Sequence, residues 1–300
     1  MRERIWAQLV HLGENIGPRA RARDPLACDE SEWRLVTDRM AVNGLNMIVI
    51  DLLEGVKYPS HPEIGVRGAW SAEKLAAEVG RLRAMGLEPI PKLNFSACHD
   101  EWLGDWGRMA STPDYYRVCE DLIRDCCEIF GHPRYFHFGY DEEDVRCQSE
   151  HELVIIRRGE LWWHDFLWFV KTIEKYGMRP WMWSDYVWEH HDEFLKRCPR
   201  SVLQSNWYYD EGFDERAFRW PRIKCYVDLD RAGFDQVPAA SNHLYDTNMA
   251  GTVEFAEGNL SRGQLMGYMM TTWRRCLPEH RVRNLSAADQ IGEAKRKNGF

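Results

Sequence analysis

The chain has 300 residues, of which 44% are hydrophobic and 29% charged, and its formal net charge at pH 7 is −8. This negative charge argues against a nucleic-acid or anionic-membrane partner, because both would repel an acidic protein. No apolar run reaches the roughly 18–20 residues that a membrane-spanning helix needs, and the N-terminus lacks the pattern of a cleavable signal. We therefore expect a cytoplasmic protein with no nucleic-acid and no membrane partner.

Short apolar runs alternate with longer amphipathic segments along the whole chain. In the first half we predict, in chain order, strand 5–11, helix 30–42, strand 46–52, helix 71–85, strand 87–94 and helix 112–130. The second half continues with strand 135–140, helix 160–176, strands 179–184 and 202–207, helix 214–224, strand 236–241, helix 248–260, strand 265–272 and helix 285–297. Ser71 and Thr112 mark helix starts, because serine and threonine favour the N-cap position.

Alternation of strands and helices, with no break in composition and no Ser/Gly-rich linker, predicts a parallel sheet. About eight such units in 300 residues favour closure into a barrel over an open sheet. No glycine fingerprint for dinucleotides follows the first strand. We predict an α/β fold, a single (β/α)8 TIM barrel over residues 1–300, with no accessory domain.

The cysteines predict the state of the thiols, and the aromatic residues indicate a type of ligand. Nine cysteines, an odd number with no C-x-x-C pair, predict reduced and mostly buried thiols rather than disulfides or a zinc site. The chain also contains 14 tryptophans and 12 tyrosines, a surplus that often lines a pocket for a flat or ring-shaped ligand. We expect no cofactor and no metal.

The ends of the predicted strands carry the polar candidates for a site. In a barrel of this kind the βα loops converge at the carboxyl ends of the strands, where the chemistry takes place. Read in chain order, these ends give His11, Glu14, Asp51, Glu54, Lys92, Asn94, Asp141, Glu142, Trp183, Asp185, Asn206, Trp207, Ser241, Asn242, Trp273 and Arg274. Acids among tryptophans indicate proton chemistry beside platforms on which sugar rings stack.

The stretch YFHFGYDEED, residues 135–144, ends a predicted strand in four consecutive acids. Neighbouring residues at a strand end point in different directions, so Asp141 and Glu142 can serve different parts of one ligand. Two adjacent carboxylates near aromatic walls should have separated pKa values, one staying ionised and one holding a proton. Glycoside cleavage requires such a pair. The alternative is a solvated acidic loop or a cap for the next helix.

Part of this stretch, FHFGYDEE, resembles the strand motif of glycoside hydrolase family 20, the β-N-acetylhexosaminidases, in which His-x-Gly-x-Asp-Glu ends in the catalytic pair. The motif falls on His137, Gly139, Asp141 and Glu142. Residues 58–99 resemble the family's upstream segment, with His99 as its last histidine. PWMWSD, LQSNW and GYMMTTW resemble its fifth, sixth and closing strands, so the likeness covers most of the chain.

The resemblance implies an exo-acting, retaining glycoside hydrolase that cleaves a terminal N-acetylhexosaminide by substrate-assisted catalysis. The 2-acetamido carbonyl of the sugar would attack the anomeric carbon, with Glu142 as general acid and then base. Asp141 would orient the acetamide group. We expect the substrate-binding residues to be His11, Glu54, His99, Trp183, Asp185, Trp207, Tyr208, Asn242 and Trp273.

The sequence departs from the family's pattern at several positions. His11 stands where the first strand of the family carries an arginine, and Glu54 is the substitute for an aspartate-rich end of the second strand. Lys92 replaces a glutamate of the third strand. The tyrosine that binds the acetamide oxygen in the family has three candidate equivalents, Tyr208, Tyr226 and Tyr245. These departures leave the identity of the sugar open.

Two alternatives remain open. A glycosidase acting on a sugar without an acetamide would combine Glu142 with Asp185 or Glu54, and the separation of the carboxylates would distinguish a retaining from an inverting reaction. A sugar-binding barrel without turnover, or a metal-dependent sugar isomerase, is the other. The isomerase would need acids and histidines converging on one ion, drawn from His11, Asp51, Glu142 and Asp185.

Two arginine-rich segments, 19–23 and 274–283, are expected to be solvated. Arg274 follows a strand end and is placed to meet an anionic substituent of a ligand. The partner we expect is a carbohydrate substrate, and a homo-oligomer is compatible with the sequence.

Overall fold

The computed structural model describes residues 3–14, 24–149, 151, 153–217 and 219–300; the basic segment 19–23 lies outside them. Eight parallel strands form one sheet in this part of the chain. They are β1 (Ile5–His11), β2 (Met47–Asp51), β3 (Glu88–Lys92), β4 (Tyr135–His137), β5 (Arg179–Trp183), β6 (Leu203–Ser205), β7 (Ala239–Ser241) and β8 (Gly267–Thr271). The sheet order is 6-5-4-3-2-1-8-7, so strands adjacent in sequence are neighbours in the sheet.

The barrel closes between β6 and β7, the two ends of that order. Parallel bridges pair Gln204 with Gln236 and Trp207 with Ala239, and the Ala239 N–H donates to the Asn206 carbonyl at 3.0 Å. The predicted single (β/α)8 TIM barrel is therefore confirmed. Each of the eight predicted strands contains one observed barrel strand.

Eight α-helices surround the strands in the described ranges. They are α1 (Glu30–Val42), α2 (Ala72–Ala84), α3 (Pro113–Ile129), α4 (Glu160–Lys175), α5 (His191–Arg197), α6 (Trp220–Arg231), α7 (Asn248–Asn259) and α8 (Arg281–Lys297). Asp29, Ser71 and Thr112 cap α1, α2 and α3 through side-chain oxygens that accept backbone N–H bonds. These caps satisfy donors that a helix start leaves unpaired.

The predicted helix 214–224 was wrong in position, because α6 begins only at Trp220. Pro221 stands in the first turn, where its missing N–H leaves no helical bond unmade, and it cannot sit in the interior of a helix. Helix α5 was not predicted, since it is short and buries only Phe194. A small parallel pair, Val56–Lys57 with Trp70–Ser71, was also missed.

Side chains alternate between two core layers along each strand. On β1, Ala7 and Leu9 point into the barrel, whereas Trp6 and Val10 pack between the sheet and the helices. The register aligns His11 with Asp51, Asp51 with Lys92, and Lys92 with His137. These four residues form a polar layer inside the barrel, near the carboxyl ends of its strands.

Two further predictions concern cysteines and membranes. All nine cysteines are free and seven of them are buried, so the predicted burial of most thiols is observed. None of the helices in the described ranges combines the length and the apolar character that crossing a bilayer would need.

Candidate active site

A cavity of about 570 Å³ opens at the carboxyl ends of the strands. It is lined by His99, Asp141, Glu142, Arg146, Cys147, Trp183, Trp207, Tyr209, Asp210, Arg219, Arg222, His243, Leu244, Trp273 and Arg274. Six of the predicted site residues are thus brought together here, including both acids of the Asp141–Glu142 pair. This is the end of a TIM barrel at which catalysis takes place.

A larger cavity, of about 780 Å³, opens at the opposite end of the barrel. It is lined by residues at the amino ends of the strands, among them Ile5, Met47 and Tyr135. Its Arg134 forms an ion pair with Glu88, and its described lining contains no histidine beside an acid. We therefore place the candidate site at the carboxyl end, although the cavity there is smaller.

The backbone before the acid pair is held by Asn94, which follows β3. Its Oδ1 accepts the N–H of Tyr140 at 3.2 Å, and its Nδ2 donates to Asp141 Oδ1 at 2.8 Å. Gly139 makes this approach feasible: its φ is +67°, and an added Cβ would lie 2.9 Å from the Asn94 Cα and overlap its amide. Tyr140 and Glu142 also have positive φ, +73° and +57°, which non-glycine residues adopt mainly where the surrounding structure enforces it.

Asp141 is the buried member of the pair, with 7% of its surface exposed. Burial raises the pKa of its carboxyl, and the charge of Glu142 adds to this, whereas His99 acts in the opposite direction. Its Oδ2 lies 3.5 Å from His99 Nε2. Asp141 is therefore fixed by contacts on both oxygens.

Glu142 is the more exposed member, with 36% of its side chain accessible. Its Oε2 lies 3.2 Å from His99 Nε2. Burial alone would raise the pKa of Glu142, but the hydrogen bond and charge of His99 outweigh it, so this pKa is lowered. The pKa values of the two acids thus move in opposite directions, with Glu142 the readier to ionise in the free protein.

His99 connects the two acids. Burial would lower the pKa of this imidazole, but the charge of Asp141 and the hydrogen bond to Glu142 raise it to about 9. A protonated His99 is therefore expected at neutral pH. The ligand atoms of His99, Asp141 and Glu142 lie within 4.8 Å of one another, a spacing at which these three residues could also hold a metal ion.

Asp185 lies beneath the pair and outside the cavity lining. Its Oδ2 accepts the backbone N–H of Glu142 at 2.8 Å, and its buried Oδ1 has no hydrogen-bond partner among the described residues. Burial, followed by the charge of Asp141, raises the pKa of Asp185 well above its ordinary value. This residue positions Glu142 through its backbone.

Aromatic side chains form the walls and floor of the cavity. Trp183 is 1% exposed and packs against His137 at 4.6 Å and Trp273 at 5.9 Å between ring centroids. Trp207 and Trp273 are only partly buried, so they present ring surface to the cavity. Trp183 supports this wall from below.

Tyr209 is a cavity residue that the sequence analysis missed. Its ring stacks on Trp207 at 5.1 Å, and its buried hydroxyl lies near Thr271 and Trp273 without a well-formed hydrogen bond in the described part of the chain. Burial raises the pKa of this phenol far above its ordinary range. The spacing of two residues from Trp207 was the available signal, because alternate residues of an extended chain face the same side.

The three tyrosines proposed from the sequence lie elsewhere. The Tyr208 hydroxyl donates to the Glu211 carbonyl at 3.1 Å, and its ring packs on Phe213. Tyr226 is buried in the helix–sheet core, and Tyr245 is 38% exposed on the surface. None of them lines the cavity.

Three other predicted substrate-binding residues also lie outside the cavity lining. His11 is buried in the polar layer, where its Nδ1 is 3.3 Å from Asp51 Oδ2 and its ring is 5.7 Å from Trp273. Glu54 accepts the backbone N–H of Glu14 at 2.7 Å, and burial raises its pKa to about 7. Asn242 donates to the Arg283 carbonyl at 3.0 Å.

The polar layer also accounts for Lys92. Its Nζ lies 2.8 Å from Asp51 Oδ2, with both side chains fully buried. Burial would raise the pKa of Asp51, but Lys92 and His11 hold it at about 2. Lys92 thus neutralises an acid within the barrel.

No protein-family model matches the chain, and no match was found among functionally curated proteins. Solved structures do resemble it. A β-N-acetylhexosaminidase from Bacteroides fragilis has a TM-score of 0.63 at 13% identity, covering 96% of this chain and 66% of that one. A family 20 exo-β-N-acetylglucosaminidase from Vibrio harveyi, in complex with N-acetylglucosamine, has a TM-score of 0.64 at 14% identity, covering 96% and 54%.

A third structure, the N-acetyl-β-hexosaminidase from Streptomyces plicatus, has a TM-score of 0.61 at 14% identity and covers 97% of this chain and 64% of that one. The chain thus spans about half to two thirds of the length of these three structures. At such low identity the likeness establishes the fold: the chain has the barrel fold found in family 20 hexosaminidases.

Proposed function

We propose that the protein is a retaining glycoside hydrolase that removes a terminal N-acetylhexosamine with the help of the sugar's own acetamide. The observation that carries this proposal is the placement of Asp141 and Glu142 together in a cavity walled by Trp207 and Trp273. The fold shared with the hexosaminidase structures supports it. Two unlike carboxylates beside indole surfaces suit proton transfer to a stacked sugar.

In the first step, Glu142 donates a proton to the glycosidic oxygen while the acetamide carbonyl oxygen bonds to the anomeric carbon. The bond to the leaving group breaks, and an oxazolinium-type ring is formed. A bound sugar displaces water from the partly exposed Glu142 carboxylate, which raises its pKa and favours the protonated form that the step needs. An intramolecular nucleophile held in line can supply a large share of the rate acceleration.

In the second step, the Glu142 carboxylate takes a proton from water as the water oxygen bonds to the anomeric carbon. The ring then reopens to the acetamide, and the configuration of the sugar is retained. Glu142 returns to its protonated state, ready for another turnover. No second enzyme nucleophile is needed.

Asp141 and Tyr209 are assigned to the acetamide group. Asp141 is fixed by Asn94 and His99, and its carboxylate would accept the acetamide N–H and stabilise the positive charge that develops there. The Tyr209 hydroxyl, which makes no well-formed hydrogen bond among the described residues, would donate to the acetamide oxygen. This assignment replaces Tyr208 as the acetamide-binding candidate.

The test is release of a chromophore from an aryl N-acetyl-β-glucosaminide, compared with an aryl β-glucoside that lacks the acetamide. We expect activity on the first substrate only, its loss in Glu142→Gln, and inhibition by a thiazoline mimic of the intermediate. Activity confined to the second substrate would replace the proposal with a conventional two-carboxylate mechanism. Activity that disappears with a chelator and returns with a divalent ion would instead indicate a metal on His99, Asp141 and Glu142.

A further inference from the structure

The cavity lining is rich in arginine, in a chain whose net charge is −8. The lining contains four arginines, Arg146, Arg219, Arg222 and Arg274. Arg219 pairs with Asp210 at 3.7 Å and Arg146 with Asp144 at 3.9 Å, whereas Arg222 and Arg274 make no ion pair among the described residues. Asp141 and Glu142 face His99.

Arg222 is the best-placed of the four for a ligand. Its guanidinium lies 3.8 Å from the ring centroid of Trp188 and 5.0 Å from that of Trp207. Among the described residues it makes no ion pair with a carboxylate, and the side chain is half-buried rather than splayed into solvent. Contact with two indoles, whose planes are inclined by 68° to each other, holds the guanidinium in place while its N–H groups remain available.

The backbone around Arg222 adds to the positive charge. Arg222 is the third residue of α6, and the first turn of that helix contains no acidic residue. The amino end of a helix favours anions, and a cation there is unfavourable unless an anion is bound nearby. Burial and then the charge of Arg219 lower the pKa of Arg222, while Asp185 and Glu142 act in the opposite direction. An anionic ligand would relieve this repulsion.

The position of the arginines relative to Glu142 indicates which part of the substrate they meet. Arg146 follows Glu142 by four residues in the loop after β4, and both line the cavity together with Arg222. Arg222 also lies 5.0 Å from the ring centroid of Trp207 on the cavity wall. In the proposed reaction Glu142 faces the leaving-group oxygen, so these arginines face the leaving group.

We infer that the group released from the N-acetylhexosamine is acidic, carrying a carboxylate, sulfate or phosphate that binds Arg222, with Arg146 and Arg219 beside it. This inference rests on the proposed hydrolase function and narrows its substrate class. The planar fork of arginine binds each of these anions through two parallel hydrogen bonds. A neutral leaving group would leave Arg222 without an ion-pair partner.

The experiment compares β-linked N-acetylglucosaminyl disaccharides that differ only at carbon 6 of the leaving sugar: glucose, glucuronic acid, glucose 6-sulfate and glucose 6-phosphate. We expect kcat/KM to be about tenfold higher for at least one acidic leaving group than for glucose, a typical effect of one charge-assisted contact at a partly exposed site. The three acidic arms identify which anion is preferred. Added salt should reduce the preference, because it screens exposed charges.

Arg222→Gln should bring the ratio of acidic to neutral kcat/KM close to one, and Arg222→Lys should give an intermediate ratio because it keeps the charge but loses the fork. Arg216→Gln is the matched control, since Arg216 precedes the same helix, is 90% exposed and pairs with Asp214 outside the cavity. Its ratio should equal that of the wild type. Thermal melting of each variant checks that it is folded.

Equal kcat/KM for all four disaccharides would overturn the inference while leaving the hydrolase proposal intact. If none is cleaved, the hydrolase proposal is overturned, and calorimetric binding of the same uncleaved disaccharides tests the anion site. The anion site would be supported if an acidic disaccharide binds more tightly than the neutral one and if Arg222→Gln abolishes this difference. Equal binding of acidic and neutral disaccharides would overturn it as well.

Discussion

The Nε2 atom of His99 lies 3.2 Å from Oε2 of Glu142, and this pairing couples the stability of the protein to pH. The pKa of His99 is raised from 6.5 to about 9. Because the folded-state pKa is the higher one, the stabilisation is fully present below about pH 6.5 and is lost as the pH rises through about 9. This stabilisation is at most about 3 kcal/mol.

We therefore expect the free energy of unfolding to fall between pH 6.5 and pH 9.5 more steeply in the wild type than in His99→Gln. Urea denaturation at several pH values in this window measures both slopes. Other titrating groups contribute equally to the two proteins, so the difference isolates His99. Parallel slopes would contradict a charged His99 between the two acids.

The close contact between Gly139 and Asn94 predicts a severe effect of one methyl group. Gly139→Ala introduces a Cβ that overlaps the Asn94 amide at a residue with φ of +67°, and we expect a loss of at least about 2 kcal/mol of stability. Gly177→Ala is the matched control, since Gly177 also has a positive φ, +78°, but nothing lies within 4 Å of the added Cβ. That variant should lose only about 1 kcal/mol.

Urea denaturation of both variants measures the difference. Combining Gly139→Ala with Asn94→Ala should reduce the loss caused by the glycine change, because the overlapping amide is gone. If the two glycine variants were equally destabilised, backbone conformation alone would explain the effect, and Asn94 would not constrain the acid-bearing loop.

Tyr209 and its neighbour Tyr208 are expected to give opposite results when the hydroxyl is removed. Tyr209→Phe removes a hydroxyl whose contacts with Thr271 and Trp273 are not well-formed hydrogen bonds, so stability should change by less than about 0.5 kcal/mol. We expect kcat/KM on the N-acetyl substrate to fall about 100-fold, as for other donors aimed at a developing charge. Tyr208→Phe loses the hydrogen bond to the Glu211 carbonyl, so we expect a loss of about 1 kcal/mol of stability. Its kcat/KM should be unchanged.

Thermal melting and steady-state kinetics on the same preparations provide both readouts. An unchanged kcat/KM in Tyr209→Phe would remove this hydroxyl from the acetamide site. A large kinetic effect of Tyr208→Phe would restore the original expectation from the sequence.

The comparison of Tyr208 with Tyr209 also indicates how far the sequence could be interpreted. Strand periodicity and the length of the chain predicted the barrel, and they placed Asp141 and Glu142 at the carboxyl end of β4. Which of two neighbouring tyrosines faces the cavity depends on the path of the chain after β6, beyond the regular strand. Local periodicity is a weaker guide there than within a strand.

The depth at which a residue lies within the barrel was a second feature that the sequence could not predict. His11, Asp51 and Lys92 end their strands, so the sequence made them look like site residues. The strand register places them in one buried layer, where Lys92 neutralises Asp51. Arg219 and Arg222 of the cavity lining were not predicted. They lie at the start of α6, and the position of this helix was mispredicted. Pro221 was the signal that would have corrected it.

Asp185 separates the proposed mechanism from its closest alternative. Its Oδ2 accepts the backbone N–H of Glu142 at 2.8 Å, and its raised pKa favours a neutral carboxyl. An asparagine is also neutral and keeps an oxygen acceptor in the same place. If Asp185 only positions Glu142, Asp185→Asn should retain kcat within about tenfold of the wild type, whereas Asp185→Ala should lose about 100-fold by releasing the loop.

A nucleophilic Asp185 would give a different pattern, because neither asparagine nor alanine can form the glycosyl–enzyme bond, and both variants would be almost inactive. Steady-state kinetics of the two variants on an aryl N-acetyl-β-glucosaminide therefore distinguish the roles. Added azide gives a second readout: it should rescue Asp185→Ala, with inversion of configuration, only if the carboxylate is the nucleophile. Since the acetamide takes that place in the proposed reaction, we expect no rescue.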